Sequence, residues 1–410
     1  MIRNKIARRL YHYWLFVINF LVKIPLGLAM SIKLNVRFKN LDVVYKQKPP
    51  YLVLPNHVTV WDPFILSWAN PIPIRWVAAD ANFRDNLKIV MRLVGAIPKA
   101  KDQSDLETIK QVKTAVEMKS VAGIFPEGAQ NWDGRTLPLI PATAKLVRFL
   151  KVPVVVPLIR GGYLSKPRWS WHINKSRYEV DYRLGIDAEE IKAMSLSQIE
   201  ERLQSLLAYD EYEWQRGAMV PLRGEKRAEH LELALWTCPS CDAIGAMSSA
   251  GNVLSCDDCG YAVTVDRYGF LEYPESGPSF ASLRDWDVWQ QGRLEERFRE
   301  KLAEGGDPLL LADEGLLLLR SVRRQPLLPV KIGDARLYRD RLEFGQAGDE
   351  PLVFPLRDVL AENVFKQHKF EFRYEKAMYR FRFPGRSTSG LKWMIAIKTL
   401  RSVQAGAGED

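Results

Sequence analysis

The sequence predicts an α/β domain in its first half, followed by a compact cysteine unit and a mostly β C-terminal region. Three observations predict it. From about residue 50, short apolar runs alternate with helical stretches. All four cysteines lie between Cys238 and Cys259. Beyond about residue 308 polar and apolar residues alternate with period two. With 47% hydrophobic and 26% charged residues in 410, the chain has ordinary globular composition, which excludes a largely disordered protein. A polytopic membrane protein is excluded too, because one segment alone approaches spanning hydrophobicity.

That segment comes first. Residues 1–50 hold ten Lys/Arg and a single acid, Asp42, so +9 of the chain's net +10 sits there. Arg3 to Arg9 precede an aromatic-aliphatic run, Leu10 to Met30, which His12, Asn19 and Lys23 interrupt and Pro25 is expected to break. A secretory signal would need a small-residue cleavage site, and none follows. A spanning helix needs ~20 apolar residues. An interfacial helix pair places aromatics at headgroup depth and Lys/Arg on the polar side. The last reading fits best, so residues 1–33 are expected to lie on the cytoplasmic face of a membrane rich in anionic lipid.

The α/β domain is assigned to residues 34–222. Leu34 to Phe38, Tyr51 to Leu54, Arg75 to Ala78, Val121 to Phe125 and Val152 to Leu158 read as strands of a mostly parallel sheet. Leu106 to Met118 and Ala142 to Leu150 read as helices between them, and 190–235 as charged helices after them. A linker helix is expected over 279–304. Half-buried antiparallel strands follow over 308–402, as in Phe370, Phe372 and Tyr374 alternating with charged residues. A last helix is expected from Ser389 to Leu400, with Ser387, Thr388 and Ser389 as candidate N-caps.

Two strand ends carry polar residues. Pro55-Asn56-His57 follows one apolar strand and leads to Asp62, five residues beyond the histidine. On a regular helix the two side chains would diverge by about 140°. They meet only where a strand gives way to a loop or helix start, and Pro55 and Pro63 mark such a place. There a carboxylate can hold one imidazole nitrogen and leave the other as a base. Phe125-Pro126-Glu127-Gly128 ends the second strand. A lone His-Asp pair is ordinarily structural; the second motif shifts the balance to a site.

These residues resemble the glycerophosphate and lysophosphatidate acyltransferases (PlsC-like), whose signature is Asn-His-x4-Asp followed by Phe-Pro-Glu-Gly. Two weaker blocks agree in order: Gly95-Ala96-Ile97 with Lys101, and Val152-Pro153-Val154-Val155-Val156-Pro157. The resemblance covers roughly residues 35–220. It implies transfer of an acyl group from coenzyme A or acyl carrier protein to a lyso-glycerolipid hydroxyl, most simply 1-acylglycerol-3-phosphate. His57 would be the base and Asp62 its orienter. Asn56, Lys101, Phe125, Pro126, Glu127, Gly128 and Arg135 would bind or organise substrate. One departure stands out. Relatives often continue Thr-Arg-Ser, with the Arg meeting the acceptor phosphate; here Ala129-Gln130-Asn131 follows. Lys99, Lys101 or Arg135 would compensate, or the acceptor is another lysophospholipid or a glycolipid. An inactive lipid-binding scaffold is the remaining alternative.

Cys238-x2-Cys241, fourteen residues, then Cys256-x2-Cys259 has zinc-ribbon spacing, assigned to 236–265. Four sulfur ligands close a site, which makes the Zn2+ structural. Ribbons also bind nucleic acid, but Asp242 to Ser255 contains no Lys or Arg, which argues against that partner. The C-terminal strands and helix resemble a PH-like or GRAM-like domain by pattern, with Arg320, Arg323, Arg324 and Lys331 as a candidate basic patch. Trp286, Trp289 and Trp393 read as packing residues.

Overall fold

The computed structural model describes residues 5–83, 87–99, 106–322 and 325–406. The chain forms two compact units, Met1–Arg168 with Ile173–Arg223, and Trp169–His172 with Gly224–Asp410.

The first unit is built on a seven-stranded sheet. Its strands are β1 (Val36–Lys39), β2 (Tyr51–Val53), β3 (Ile74–Ala79), β4 (Ile97–Lys99), β5 (Val121–Gly123), β6 (Val154–Arg160) and β7 (Tyr178–Ile186). Their order is β1-β7-β6-β2-β5-β3-β4. β6, β2, β5, β3 and β4 run parallel, while β7 turns antiparallel to β6 and brings β1 in beside it. The helices are α1 (Lys5–Ile18), α2 (Ile24–Leu34), α3 (Asp42–Lys46), α4 (Asp62–Ala69), α5 (Leu87–Leu93), α6 (Leu106–Glu117), α7 (Ala142–Leu150), α8 (Gly162–Ser165), α9 (Ala188–Ala193), α10 (Leu196–Leu207) and α11 (Glu211–Ala218). Strand residues Leu52, Leu54, Val154 and Val156 pack with Val112 of α6, Val147 of α7 and Ile199 and Leu203 of α10 in one core. β2 and β5 are neighbours whose C-terminal ends lie side by side, which is where a parallel sheet builds its site.

Pro25 does not break the N-terminal run. A π-helical segment, Asn19–Lys23, joins α1 to α2, and Pro25 sits in the first turn of α2, where its missing N–H costs little. Leu15, Asn19, Lys23, Gly27, Met30, Ser31 and Leu34 form one buried stripe. Its four-residue spacing would drift around a 3.6-residue helix; the wider π turn offsets that drift. The polar members bond inward: Asn19 Nδ2 donates to Leu15 O at 2.6 Å, Lys23 Nζ to Ile74 O at 2.6 Å and Ser31 Oγ to Gly27 O at 2.7 Å, while Asn19 Oδ1 is buried without a partner among the described residues. Gly27 lets α2 lie against α4, since a Cβ there would come within 2.3 Å of Phe64 O. The other face exposes Leu10, Tyr13, Trp14, Phe16, Phe20, Leu21, Leu28 and Ile32. Tyr13–Leu34 is long and apolar enough to cross a membrane.

The helical stretch expected over 190–235 ends at Ala218, apart from one 3₁₀ turn at Leu231–Leu233. In the second unit β8 (Met247–Ala250), β9 (Val253–Cys256), β10 (Ala262–Val265) and β11 (Leu271–Glu272) form a four-stranded antiparallel sheet. α12 (Leu283–Ala303) begins four residues later than expected, with the Ser282 side chain accepting from Asp285 N. Seven antiparallel strands follow: β12 (Leu311–Val322), β13 (Leu328–Leu337), β14 (Arg341–Gly345), β15 (Leu352–Pro355), β16 (Val359–Phe365), β17 (Lys369–Tyr374) and β18 (Ala377–Arg382). Their order is β15-β14-β13-β12-β18-β17-β16. The last helix, α13 (Gly390–Gly406), extends past Leu400, and Ser389 Oγ accepts from Lys392 N as its cap. Trp286 and Trp393 are fully buried, and each donates its indole N–H, to Thr237 O at 3.1 Å and Asp313 Oδ2 at 2.6 Å. Arg320 lies with its guanidinium 5.9 Å from the Tyr379 ring, and Lys331 faces Asp349 at 3.9 Å. Arg323 and Arg324 lie outside the described residues.

Candidate active site

The loop after β2 brings His57 and Asp62 together. Asp62 opens α4 and is completely buried. A carboxylate in that position needs donors on both oxygens, and it has them. Oδ2 accepts from Val58 N at 2.7 Å and from His57 Nδ1 at 3.0 Å. Oδ1 accepts from Thr59 Oγ1 at 2.6 Å and Tyr178 OH at 2.7 Å, and Thr59 N reaches both oxygens. An ionised carboxylate only accepts, so the His57 proton sits on Nδ1 and leaves Nε2 with its lone pair. The His57 side chain is 19% exposed, so that nitrogen belongs to a group solvent can reach. Burial pushes the Tyr178 hydroxyl well above its ordinary value, and the Asp62 carboxylate pushes it further.

Glu127 ties the second motif to the first. Its Oε1 accepts from the His57 backbone N–H at 2.6 Å and its Oε2 from Leu137 N at 2.7 Å. Burial pushes its carboxyl up to about 8, and the two backbone donors hold it below what burial alone would give. Both oxygens serve the protein's own backbone, which makes Glu127 the clamp on the His57 loop. The His57 ring stacks on Phe125, with centroids 3.9 Å apart, and Phe125 stacks on Trp76 at 4.9 Å. Gly128 adopts φ +70°, and a Cβ there would meet Ile140 Cδ1 at 2.5 Å. Pro126 O accepts from Ile140 N at 2.8 Å, which closes the same turn. Asn56 is buried and zips the end of β2 to β6: its Nδ2 donates to Ile159 O at 2.9 Å and its Oδ1 accepts from Ile159 N at 2.7 Å.

Asn56, His57, Asp62, Phe125, Pro126, Glu127 and Gly128 therefore form one constellation. Arg135 is engaged elsewhere, its Nε on Asp210 at 3.0 Å. Lys99 ends β4, and Lys101 lies outside the described residues. At Gln130 a different cation appears. Arg168 Nη1 donates to Gln130 O at 2.5 Å, and its guanidinium lies 4.6 Å from the Trp132 ring centre. Burial lowers its pKa to about 10, still well above neutrality. Thr59, Tyr178, Trp76 and Arg168 carry no signal in the motif. A further buried carboxylate, Glu211, accepts from Gly161 N and Leu164 N, both at 3.0 Å, and from Tyr209 OH at 2.7 Å; burial raises it to about 7.

Residues 35–159 match the Acyltransferase family model. The match includes both motifs and ends at Ile159, the residue Asn56 holds. The first unit thus carries an acyltransferase-type α/β domain. Among solved structures, the chain is similar to the 1-acyl-sn-glycerophosphate (LPA) acyltransferase PlsC from Thermotoga maritima. Identity is 16% and the TM-score 0.41, over 50% of this chain and 80% of that one. Comparison with curated proteins finds no match.

The four cysteines converge in the second unit. Cys238 Sγ lies 3.6 Å from Cys259 Sγ, and Cys241 Sγ 3.6 Å from Cys256 Sγ, with all four sulfurs within 4.8 Å of one another. Thiolates around one zinc ion at ~2.3 Å in a tetrahedron would be ~3.8 Å apart, so the donor set fits. The two knuckles are alike. Asp242 N donates to Cys238 O at 2.9 Å and Gly260 N to Cys256 O at 3.0 Å, and both donors have positive φ, 61° and 75°. Asp242 also takes Arg293 Nη2 of α12 at 2.6 Å, so the first knuckle is anchored to that helix.

Proposed function

We propose that the chain is a membrane-surface O-acyltransferase acting on a lyso-glycerolipid hydroxyl, with 1-acylglycerol-3-phosphate as acceptor and acyl-CoA or acyl carrier protein thioester as donor. The observation that carries this reading is the His57–Asp62 pair, with Asp62 buried among backbone and hydroxyl donors. His57 Nε2 takes the acceptor hydroxyl proton as the oxygen attacks the thioester carbonyl. The C–O bond forms, the C–S bond breaks, and the proton passes from His57 to the departing thiolate. Asp62 stabilises the imidazolium between those steps. A base positioned in this way contributes ~10²–10⁴-fold.

The Arg168 guanidinium beside Gln130 supports a phosphate-bearing acceptor despite the uncharged Gln130. The exposed apolar face of α1 and α2 supports a membrane-bound acceptor: its opposite face carries Asn19, Lys23 and Ser31 against the protein, which favours lying on the bilayer over crossing it. The cysteine centre is read as a structural Zn2+ site. Cys238, Cys241, Cys256 and Cys259 would hold the ion, which would fix the fold of the β8–β11 sheet. The seven strands and α13 are read as a PH-like adaptor.

The test offers labelled lyso-lipids with acyl-CoA or acyl carrier protein donors to the protein on vesicles. Transfer to 1-acylglycerol-3-phosphate is the expected result. Transfer only to acceptors without a phosphate monoester would discard that acceptor, and transfer to none would discard the enzyme.

A further inference from the structure

The first unit has a concave site outside the His57 constellation. A cavity of about 480 Å³ opens where α2 ends, and its wall is assembled from three places in the chain. Asn35 and Arg37 come from the end of α2 and the start of β1. Lys175, Ser176 and Arg177 lead into β7. Ala218 to Arg223 follow α11. Hydrogen bonds fasten these segments together: Asn35 Nδ2 donates to Ser176 O at 3.0 Å, and Arg223 N to Lys175 O at 3.0 Å.

The lining holds four cations, Arg37, Lys175, Arg177 and Arg223, and no carboxylate. Among the described residues none of the four is paired with an acid. Arg177 is half-buried, its guanidinium 5.2 Å from the Trp214 ring, and its Nε is buried without a hydrogen-bond partner. The ordinary explanation is that these cations neutralise the C-termini of α2 and α11, which both end beside the cavity. Each helix end carries roughly half a negative charge. Two such ends offset about one of four positive charges, so most of the charge remains unanswered. Ala218, Met219, Val220 and Pro221 give the wall one apolar side, and Asn35 and Ser176 add polar groups to the basic one.

One apolar side, Ala218 to Pro221, beside guanidinium groups with no acid partner among the described residues suits a molecule that is a phosphate at one end and hydrocarbon at the other. The cavity begins at Asn35, the residue that caps α2, directly beyond the exposed Leu28 and Ile32. It also lies at the site's end of the sheet, because β7 starts beside Arg160, where β6 finishes. We infer that this cavity is a phosphate-binding site for the headgroup of an anionic phospholipid in the bilayer on which α1 and α2 lie. The inference rests on the proposed membrane-surface reading, and it assigns the cavity a lipid distinct from the one at His57.

The test uses the full chain, Arg37→Gln/Arg223→Gln, and a charge-matched control, Lys110→Gln/Lys145→Gln, which removes two exposed lysines from α6 and α7. Binding is measured to vesicles of phosphatidylcholine with and without phosphatidic acid, and to monomeric dihexanoyl phosphatidic acid. A lysine or arginine at an anionic surface is worth about five-fold in partition. The Arg37/Arg223 variant is therefore expected to bind phosphatidic acid vesicles about twenty-five-fold more weakly and to lose one of two soluble phosphatidate sites, keeping the product site at His57. The control is expected to keep both. Equal losses in the two variants would overturn the inference, leaving diffuse surface charge. Displacement of dihexanoyl phosphatidic acid by coenzyme A would overturn it in favour of a donor phosphate. His57→Ala is expected to bind like the wild type. Absence of acyl transfer with this binding pattern intact would sink the catalytic reading alone. Absence of vesicle binding would sink the membrane reading, and the soluble phosphatidate would still decide the cavity.

Discussion

Replacing Asp62 by Asn tests how the base is activated. The amide is nearly isosteric but neutral. Its oxygen is expected to settle toward Val58 N and His57 Nδ1, where only an acceptor is tolerated. Its NH2 then faces Thr59 Oγ1 and Tyr178 OH, hydroxyls that can rotate to accept. The His57 tautomer survives, and what is lost is the negative charge 3.0 Å from the imidazole. At an effective dielectric of ~20, two unit charges that close interact by about 5 kcal/mol. At ~1.4 kcal/mol per factor of ten, that is up to about 10⁴ in rate, the upper end of what general-base catalysis supplies. The assay is single-turnover acyl transfer on vesicles with enzyme in excess, which isolates the chemical step. A fall of 10²–10⁴ with an unchanged thermal midpoint is expected, and Asp62→Asn in a His57→Ala background should add almost nothing. A folded variant within ten-fold of wild type, or losses that multiply in the double variant, would refute the reasoning.

Three further outcomes follow from the same geometry. Glu127 binds its proton more tightly when folded, about 8 against an ordinary 4.5, so its contribution to stability is fullest below pH 4.5 and is lost as pH rises to about 8. Glu127→Gln should therefore flatten the decline of the unfolding free energy from urea titrations between pH 5 and 8 by a few kcal/mol, and parallel profiles would contradict this. Gly128→Ala should cost about 1–2 kcal/mol from the left-handed backbone alone, with more from the Ile140 clash; a neutral effect on urea midpoint and activity would contradict the tight-turn account. Cys241→Ser should lower bound zinc by mass spectrometry and lower the thermal midpoint, and a chelator should do the same to wild type; full zinc occupancy in the variant would remove Cys241 from the ligand set.

The sequence carried the chemistry better than its supports. His57, Asp62 and Glu127 were legible because their motifs follow apolar strands, and the structure brings them together at adjacent strand ends. Tyr178 was not legible, since it reaches Asp62 from 116 residues away and only the antiparallel turn of β7 brings it there. Asn56 looked like a substrate ligand beside the base, yet its amide is spent on both backbone groups of Ile159. The interruptions in the N-terminal run, Asn19 and Lys23, looked like breaks in a lipid-facing surface. Their four-residue spacing from Leu15 was the overlooked sign of a second, protein-facing stripe. The convergence of the four cysteines was legible because Cys-x2-Cys fixes each pair locally, and bringing the pairs together needs only the short β8–β9 hairpin.

The most direct measurement is acyl transfer from a labelled thioester to 1-acylglycerol-3-phosphate by the purified protein on vesicles, wild type beside His57→Ala. The account predicts product with wild type and a loss of at least 10² with the variant, while vesicle binding stays the same. Equal product from both proteins, or none from a folded, vesicle-bound wild type, would contradict it.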